Sequence, residues 1–354
     1  VHFDEGYGGL GLNPKLQRVV NDRVRDAGGP SCMARNPIGY GMCGPTVHVW
    51  GSDDQKQRYL RPLFTCEDIW CQLFSEPGSG SDFAGLSSRG VRDGDEWVVN
   101  GQKVWTTLAH VSRWGLLVVR TDPEAVKHAG LTAFVVDMQA DTVETRPLRQ
   151  MTGEAEFNEV YFTDTRIPDD EMLGNPGDGW RVSLTTLMNE RTSIGGGIPE
   201  RGSGSIGDLM QVWSELPDDR RDAATLDRVM SLWVRAEVHR LTNIRANQNR
   251  RIGDPGPEGS IGKMESANLN TAVYEAVVDL LGADGMLYGS YVMSRPETTM
   301  SGSLPQQRFL RSRANSIEGG TTEVMQNILG ERVLGLPGDV RVDRDVPWSE
   351  VPRN

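Results

Sequence analysis

Residues 72–82, Gln-Leu-Phe-Ser-Glu-Pro-Gly-Ser-Gly-Ser-Asp, close a strand-like apolar run with an acid, a Pro, two glycines and serine hydroxyls. A loop of this make-up can bring backbone N–H groups close to an anion or a ring carbonyl. The next strand-like stretch ends in Val104-Trp105-Thr106-Thr107. There a large flat ring can lie against a flat ligand, and Thr107 supplies a donor beside it. The plain alternative is a surface turn followed by a core Trp.

Outward from this stretch the periodicity divides the chain. Short β-branched or aromatic runs at 69–75, 96–106, 113–120, 131–138, 142–147 and 156–163 predict a compact antiparallel β domain, with Asp93-Gly94 and Asn100-Gly101 as hairpin turns between strands. Before it, Asn13-Pro14 starts a helix whose Leu16, Val19, Val20 and Val24 recur at helical spacing until Gly28-Gly29-Pro30, and a second helix covers roughly 53–64. After Gly179 the helical period returns around 180–194, 223–250, 258–281 and 321–335. Strands segregated from helices give an α+β fold with a central antiparallel β domain. Its parts are an N-terminal α domain (1–66), a β domain (67–175), a C-terminal helical bundle (176–337) and a tail (338–354). Segments 195–205 and 295–305, rich in Gly, Ser, Thr and Pro, are expected to be mobile loops.

At 354 residues the chain exceeds what one core usually serves. A net charge of −12 argues against nucleic acid as a partner, because phosphate contacts need a basic surface. No apolar run is long enough for a membrane span, and no leader precedes the first glycines. Cys32, Cys43, Cys66 and Cys71 lack Cys-x-x-Cys spacing and the five histidines are scattered, so neither zinc nor a disulfide framework is indicated and a cytoplasmic location is expected. Gly6-Tyr7-Gly8-Gly9-Leu10-Gly11 fits G-x-G-x-x-G. Its following helix runs into Gly-Gly-Pro instead of a second strand, so a turn is the better account.

The 72–82 stretch, the Val-Trp-Thr-Thr phrase and a late run, Ile317-Glu318-Gly319-Gly320-Thr321-Thr322-Glu323, together resemble the signatures of the acyl-CoA dehydrogenase family. The resemblance covers nearly the whole chain and implies a small α domain, a β domain and a C-terminal four-helix bundle, with FAD between sheet and bundle. It also implies a further helix ahead of Val1. It would put Phe74 and Ser75 beside the isoalloxazine edge, Gly80 and Ser81 near flavin and thioester, Trp105 and Thr107 on the ring's far side, and Gln72 at another flavin-lining position. Thr321 and Glu323 match positions that approach the flavin phosphates and ribose. The implied substrate is an acyl-CoA, with Ser81 and Arg191 on its side, and the implied oxidant is an electron-transfer flavoprotein. A homo- or hetero-oligomer, dimer or tetramer, is implied as well.

Removing a proton α to a thioester while a hydride leaves the β carbon calls for a carboxylate in a dry pocket. Burial raises a carboxylate's pKa and makes it a stronger base once ionised. The family places this base at one of two points. Just before the Gly-Thr pair stands Gly319, with Glu318 one residue too early; just before an Arg opening a bundle helix stands Glu190. A one-residue offset re-aims a side chain, so Glu190 is favoured over Glu318. The plain alternative for Glu190 is an acid near a helix start, stabilised by the dipole or paired with Arg191.

Two departures stand out. The family's Arg-x-x-Phe-Gly phrase, whose Arg reaches a neighbour's FAD, has no match at 206–221, and its Gln-x-x-Gly-Gly turn becomes Asp279-Leu280-Leu281-Gly282-Ala283. An acid near a pyrophosphate would repel it. The sequence therefore leaves three readings open: a dehydrogenase forming a trans-2-enoyl-CoA from a straight or a bulky, steroid-like acyl group; an oxidase; and a non-catalytic or half-site subunit of a mixed assembly.

Overall fold

The computed structural model describes residues 1–195, 197–252, 256–299, 304–340, 343 and 345–352, and within 191–195 the backbone only. Four helices come first: α1 (Leu16–Asp26), α2 (Cys32–Arg35), α3 (Gly44–Trp50) and α4 (Asp53–Phe64). Ser52 and Gln55 form a reciprocal capping box at the start of α4, which fixes where that helix begins. Leu16, Val19, Val20 and Val24 lie on an exposed face of α1. Gly6–Gly11 is a turn region, and helices α1 to α4, not strands, come directly after it.

Among the described residues eight strands build one sheet: β1 (Trp70–Leu73), β2 (Arg89–Asp93), β3 (Glu96–Thr107), β4 (Trp114–Arg120), β5 (Leu131–Asp137), β6 (Val143–Leu148), β7 (Phe157–Pro168) and β8 (Met172–Leu173). Their order is β6-β7-β3-β2-β4-β5-β8, with β1 alongside β4. Most pairings are antiparallel, while β4 meets β1 and β2 in parallel. All of β4 and nearly all of β5 are buried, which is why these strands read as continuous apolar runs instead of alternating ones. Asp93-Gly94 does turn the β2–β3 hairpin.

Asn100-Gly101 is not a second hairpin. It is a register shift inside β3, where the strand passes so close to Ser88 that a Cβ on Gly101 would stand 2.1 Å from the Ser88 hydroxyl oxygen. Asn-Gly serves a bulge as well as a turn, and sequence spacing alone does not separate the two.

The bundle holds α5 (Gly179–Gly195), α6 (Ser205–Glu215), α7 (Ala223–Arg251) and α8 (Glu258–Leu281), followed by α9 (Pro305–Ser312) and α10 (Thr322–Arg332). Its core joins Ile206, Leu209, Val229, Leu232, Val273 and Val277. Helices α6 and α9 go beyond the sequence reading, and α9 begins at the far edge of the predicted 295–305 loop. Residues 196 and 300–303 of the two predicted loops lie outside the described residues. The tail returns to the sheet, where Trp348 lies under the buried Arg120 guanidinium at 4.3 Å.

Helix α5 is the element that carries the bundle onto the rest of the chain. Val182 and Leu187 join a core shared with Tyr59, Trp70, Phe74, Phe83 and Leu131, while Thr186 and Thr185 hydrogen-bond Thr46 and the Trp50 indole, each at 2.9 Å. Three contacting layers therefore fix the helix on which Glu190 sits.

Candidate active site

The turn after β1 is shaped from within. The Lys103 ammonium, wholly buried under β3, donates to the Phe74 carbonyl at 3.0 Å and to Glu76 at 2.8 Å. Glu76 also accepts from the backbone N–H groups of Ser87 and Ser88 and from the Ser87 hydroxyl. Burial alone would raise the Glu76 pKa, but the Lys103 charge and these donors prevail and hold it down to about 2. The acid of the 72–82 stretch is thus a clasp that sets the turn's shape. Asp82, at its end, pairs with Lys127 at 2.8 Å.

With the clasp in place, Phe74 is buried against Phe83, Ser75 is half-buried, and Gly80 and Ser81 are exposed. A Cβ added at Gly78 or Gly80 would meet nothing within 4 Å. The amide oxygen of Gln72 is buried and without a hydrogen-bond partner among the described residues.

Trp105 does not enter the core. It sits in the second register shift of β3, between Lys103 and Thr106, with φ +59 and 61% of its surface exposed. A bulky residue in the left-handed region costs on the order of 1–3 kcal/mol and clusters at functional sites. The bulge turns the indole outward, edge-on to Phe157 at 6.0 Å, while Thr107 pairs with Phe157 across the strands.

Glu190 lies eleven residues into α5, five from its C-terminal end, and is half-buried. The alternative of an acid near a helix start is therefore corrected: Asn189-Glu190-Arg191 lies well inside α5 and does not open a helix. The Arg191 side chain, expected near the substrate, lies outside the described residues.

Glu318 is differently placed. Arg311 grips both its oxygens, at 3.1 and 2.8 Å, and Asn315 donates at 2.7 Å. A bidentate guanidinium fixes a carboxylate in place, which suits a structural anchor. Gly319 and Gly320 follow with φ +66 and +94, so the chain doubles back before α10. Thr321 caps that helix by accepting from the Val324 N–H at 3.2 Å, and Glu323 is exposed in its first turn.

Sequence reasoning missed Lys263. Wholly buried on α8, it donates to the carbonyls of Asn315, at 2.9 Å, and of Gly320. Burial pulls its pKa down, opposed by the charges of Glu318, Glu190 and Glu323. One ammonium thus lies within electrostatic reach of all three glutamates singled out from sequence. A lysine inside a helical period gives no sign of this, since long cations usually line the solvent face.

The sheet and the bundle are bridged by Arg311, whose guanidinium lies 5.8 Å from the Phe157 ring that also flanks Trp105. At the far end of α8, Asp279 pairs with Arg228 of α7 at 2.8 Å, and Arg220 donates to the Leu280 carbonyl at 2.7 Å. The acid that replaces an amide in the 279–283 turn is neutralised from within the chain. An outward-facing ring, open glycines and a buried amide oxygen without a partner among the described residues suit a flat heteroaromatic with polar edges, and a half-buried carboxylate suits a base.

Three family models cover this architecture in chain order. Residues 1–67 match the acyl-CoA dehydrogenase N-terminal domain, 71–165 the middle domain and 177–334 the C-terminal domain. The chain belongs to the acyl-CoA dehydrogenase family. Acyl-CoA dehydrogenase IpdE1 of Mycobacterium tuberculosis is 34% identical over 350 residues, covering 96% of this chain and 85% of the relative. Among solved structures, the Tcur3481–Tcur3483 steroid ACAD is 25% identical with a TM-score of 0.78, covering 96% of this chain and 85% of that one. The ChsE4–ChsE5 complex from M. tuberculosis is 26% identical with a TM-score of 0.76, covering 96% and 86%. This acyl-CoA dehydrogenase is accordingly a flavoprotein oxidoreductase of the α+β class. Among its described residues no helix is long and apolar enough to cross a membrane.

Proposed function

We propose that this acyl-CoA dehydrogenase converts an acyl-CoA thioester to its trans-2-enoyl-CoA, with FAD as its flavin and Glu190 as the base. The observation that carries the reading is the outward-turned Trp105, joined through Phe157 and Arg311 to the Glu318 loop of the bundle. Trp105, Thr107, Phe74, Ser75, Gln72, Gly80 and Ser81 would hold the flavin ring, and Thr321 and Glu323 its polar tail. Bound flavin would supply the acceptor for the hydride that leaves the β carbon. Glu190 takes the α proton, so one C–H pair of electrons becomes the new C=C bond and the other leaves as hydride. Ser81 and Arg191 are assigned to the thioester end in this reading. An electron-transfer flavoprotein then removes the two electrons.

The acyl group is proposed to be bulky and polycyclic, on the likeness to a steroid ACAD. Anaerobic mixing with straight, branched and polycyclic acyl-CoAs tests both points. Flavin absorbance should be lost fastest with the polycyclic thioester, and peroxide release in air would instead identify an oxidase.

A mixed assembly is the second reading, favoured by the Asp279–Arg228 pair where the family carries a neutral amide. Leu226, Met230, Val234, Val238 and Leu241 form an exposed apolar stripe along α7, suited to the bundle of a second family member. Two of the structural relatives are named as two-component proteins. Native mass spectrometry with a flavin count decides: a homotetramer holding one FAD per chain removes the mixed assembly.

A further inference from the structure

We propose that Asn158 is the positioning residue behind Trp105, a buried amide that holds the β3 bulge and so keeps the indole turned outward for the flavin. The inference rests on the assignment of Trp105 to the flavin ring. Across the second register shift Lys103 pairs with Val160 and Thr106 with Asn158, so Val104 and Trp105 stand against the single residue Glu159. Two non-glycine residues near this strand end take left-handed backbone, Trp105 at φ +59 and Leu108 at φ +56. Strain of this kind persists only where neighbouring groups over-determine it.

Asn158 supplies that determination. Asn is depleted in strands and costly to bury unpaired, yet this one is wholly buried in β7. Its amide nitrogen donates to the Thr106 carbonyl at 3.1 Å, between the two left-handed residues, and to the Glu156 carbonyl at 3.0 Å. The Glu156 carbonyl also accepts from the Leu108 N–H at 2.8 Å. One amide thus ties the strained stretch to the entry of β7.

The orientation of the amide is fixed from its other end. The Arg295 guanidinium donates to the Asn158 oxygen at 2.7 Å, which leaves the NH2 group facing the carbonyls. Arg295 is delivered by the segment between α8 and α9, where Ser294 hydrogen-bonds the backbone of Gly153 at 3.1 Å and of Ala155 at 2.7 Å. His110 donates from Nε2 to the Pro296 carbonyl of that segment at 3.1 Å, and its Nδ1 lies 3.3 Å from the same amide nitrogen. Asn158 reaches Trp105 through the Thr106 backbone, so it acts on the flavin only by way of the ring.

The test is a double-variant cycle on the fully assembled, flavin-loaded protein, with release of FAD on dilution, followed by flavin fluorescence, as the measure of affinity. Asn158→Ala is expected to weaken FAD binding roughly tenfold, and Trp105→Gly by at least as much. Glycine takes φ +59 without strain and has no ring to aim, so adding Asn158→Ala to Trp105→Gly is expected to change affinity less than about twofold. Arg295→Met, at an exposed side chain, is expected to give the same pattern with a loss of roughly threefold, and it carries the test should Asn158→Ala not fold. Wild-type FAD affinity in the Asn158 variant, or a loss of equal size with and without the indole, overturns the inference, and the same two results in Arg295→Met do so in its stead. Wild-type affinity in Trp105→Gly alone instead overturns the flavin assignment beneath it, so the two failures are told apart.

Discussion

Replacing Glu76 by Gln should destabilise this protein more than any other single change of one oxygen to nitrogen in the β domain. The carboxylate has three donors around it, from Ser87 and Ser88, and a wholly buried ammonium at 2.8 Å. Its pKa of about 2, against an ordinary 4.5, corresponds to a difference of about 2.5 pH units, or on the order of 3 kcal/mol at neutral pH. Glutamine keeps the shape and one acceptor but leaves Lys103 charged and uncompensated, and breaking a buried pair in this way costs roughly 3–5 kcal/mol. The sign with pH follows from a pKa lowered in the folded state: the stabilisation is complete above about pH 4.5 and is lost as pH falls through about 2. Urea titrations of the wild type, Glu76→Gln, Lys103→Met and the double variant measure this at neutral pH, and an acid titration of the wild type measures the window. The double variant, with no charge left to bury, should recover about half of the single-variant loss. A Glu76→Gln protein within about 1 kcal/mol of wild type at neutral pH, or a double variant whose loss equals the sum of the singles, would refute the clasp.

Trp105→Gly should leave the folded state as stable as wild type to within about 1 kcal/mol, because glycine accepts φ +59 without strain and the indole is exposed. The same variant should purify with less flavin, read from its visible-to-ultraviolet absorbance ratio. Gly101→Ala should cost roughly 1–3 kcal/mol in denaturant titration, since its Cβ would fall 2.7 Å from the Ser88 Cα as well as on the hydroxyl.

The order of helix, sheet and helix is legible because its periods are clean: α7 and α8 run 29 and 24 residues, and β4 and β5 are mostly apolar runs. Helices α6 and α9 are harder, being short and set between Gly-, Ser- and Pro-rich segments that read as loop. At the site, Trp105 is visible as a residue, but its left-handed backbone is not, because the bulge that imposes it depends on how β3 registers on β7. Glu318 and Glu190 are equally visible as acids. What separates them is the Arg311 clasp, which holds both oxygens of Glu318 and forms only when α9 and the loop after it fold together. Asp279 reads as a repulsive charge in sequence and becomes half of an ion pair only when α7 folds beside α8.

Anaerobic stopped-flow mixing of acyl-CoA with flavin-loaded wild type, Glu190→Gln and Glu318→Gln puts the proposed base to the most direct test. The account predicts rapid loss of flavin absorbance in the wild type, measurable though slower loss in Glu318→Gln, and none in Glu190→Gln despite equal flavin content. Reduction of Glu190→Gln at a rate within tenfold of wild type would contradict it.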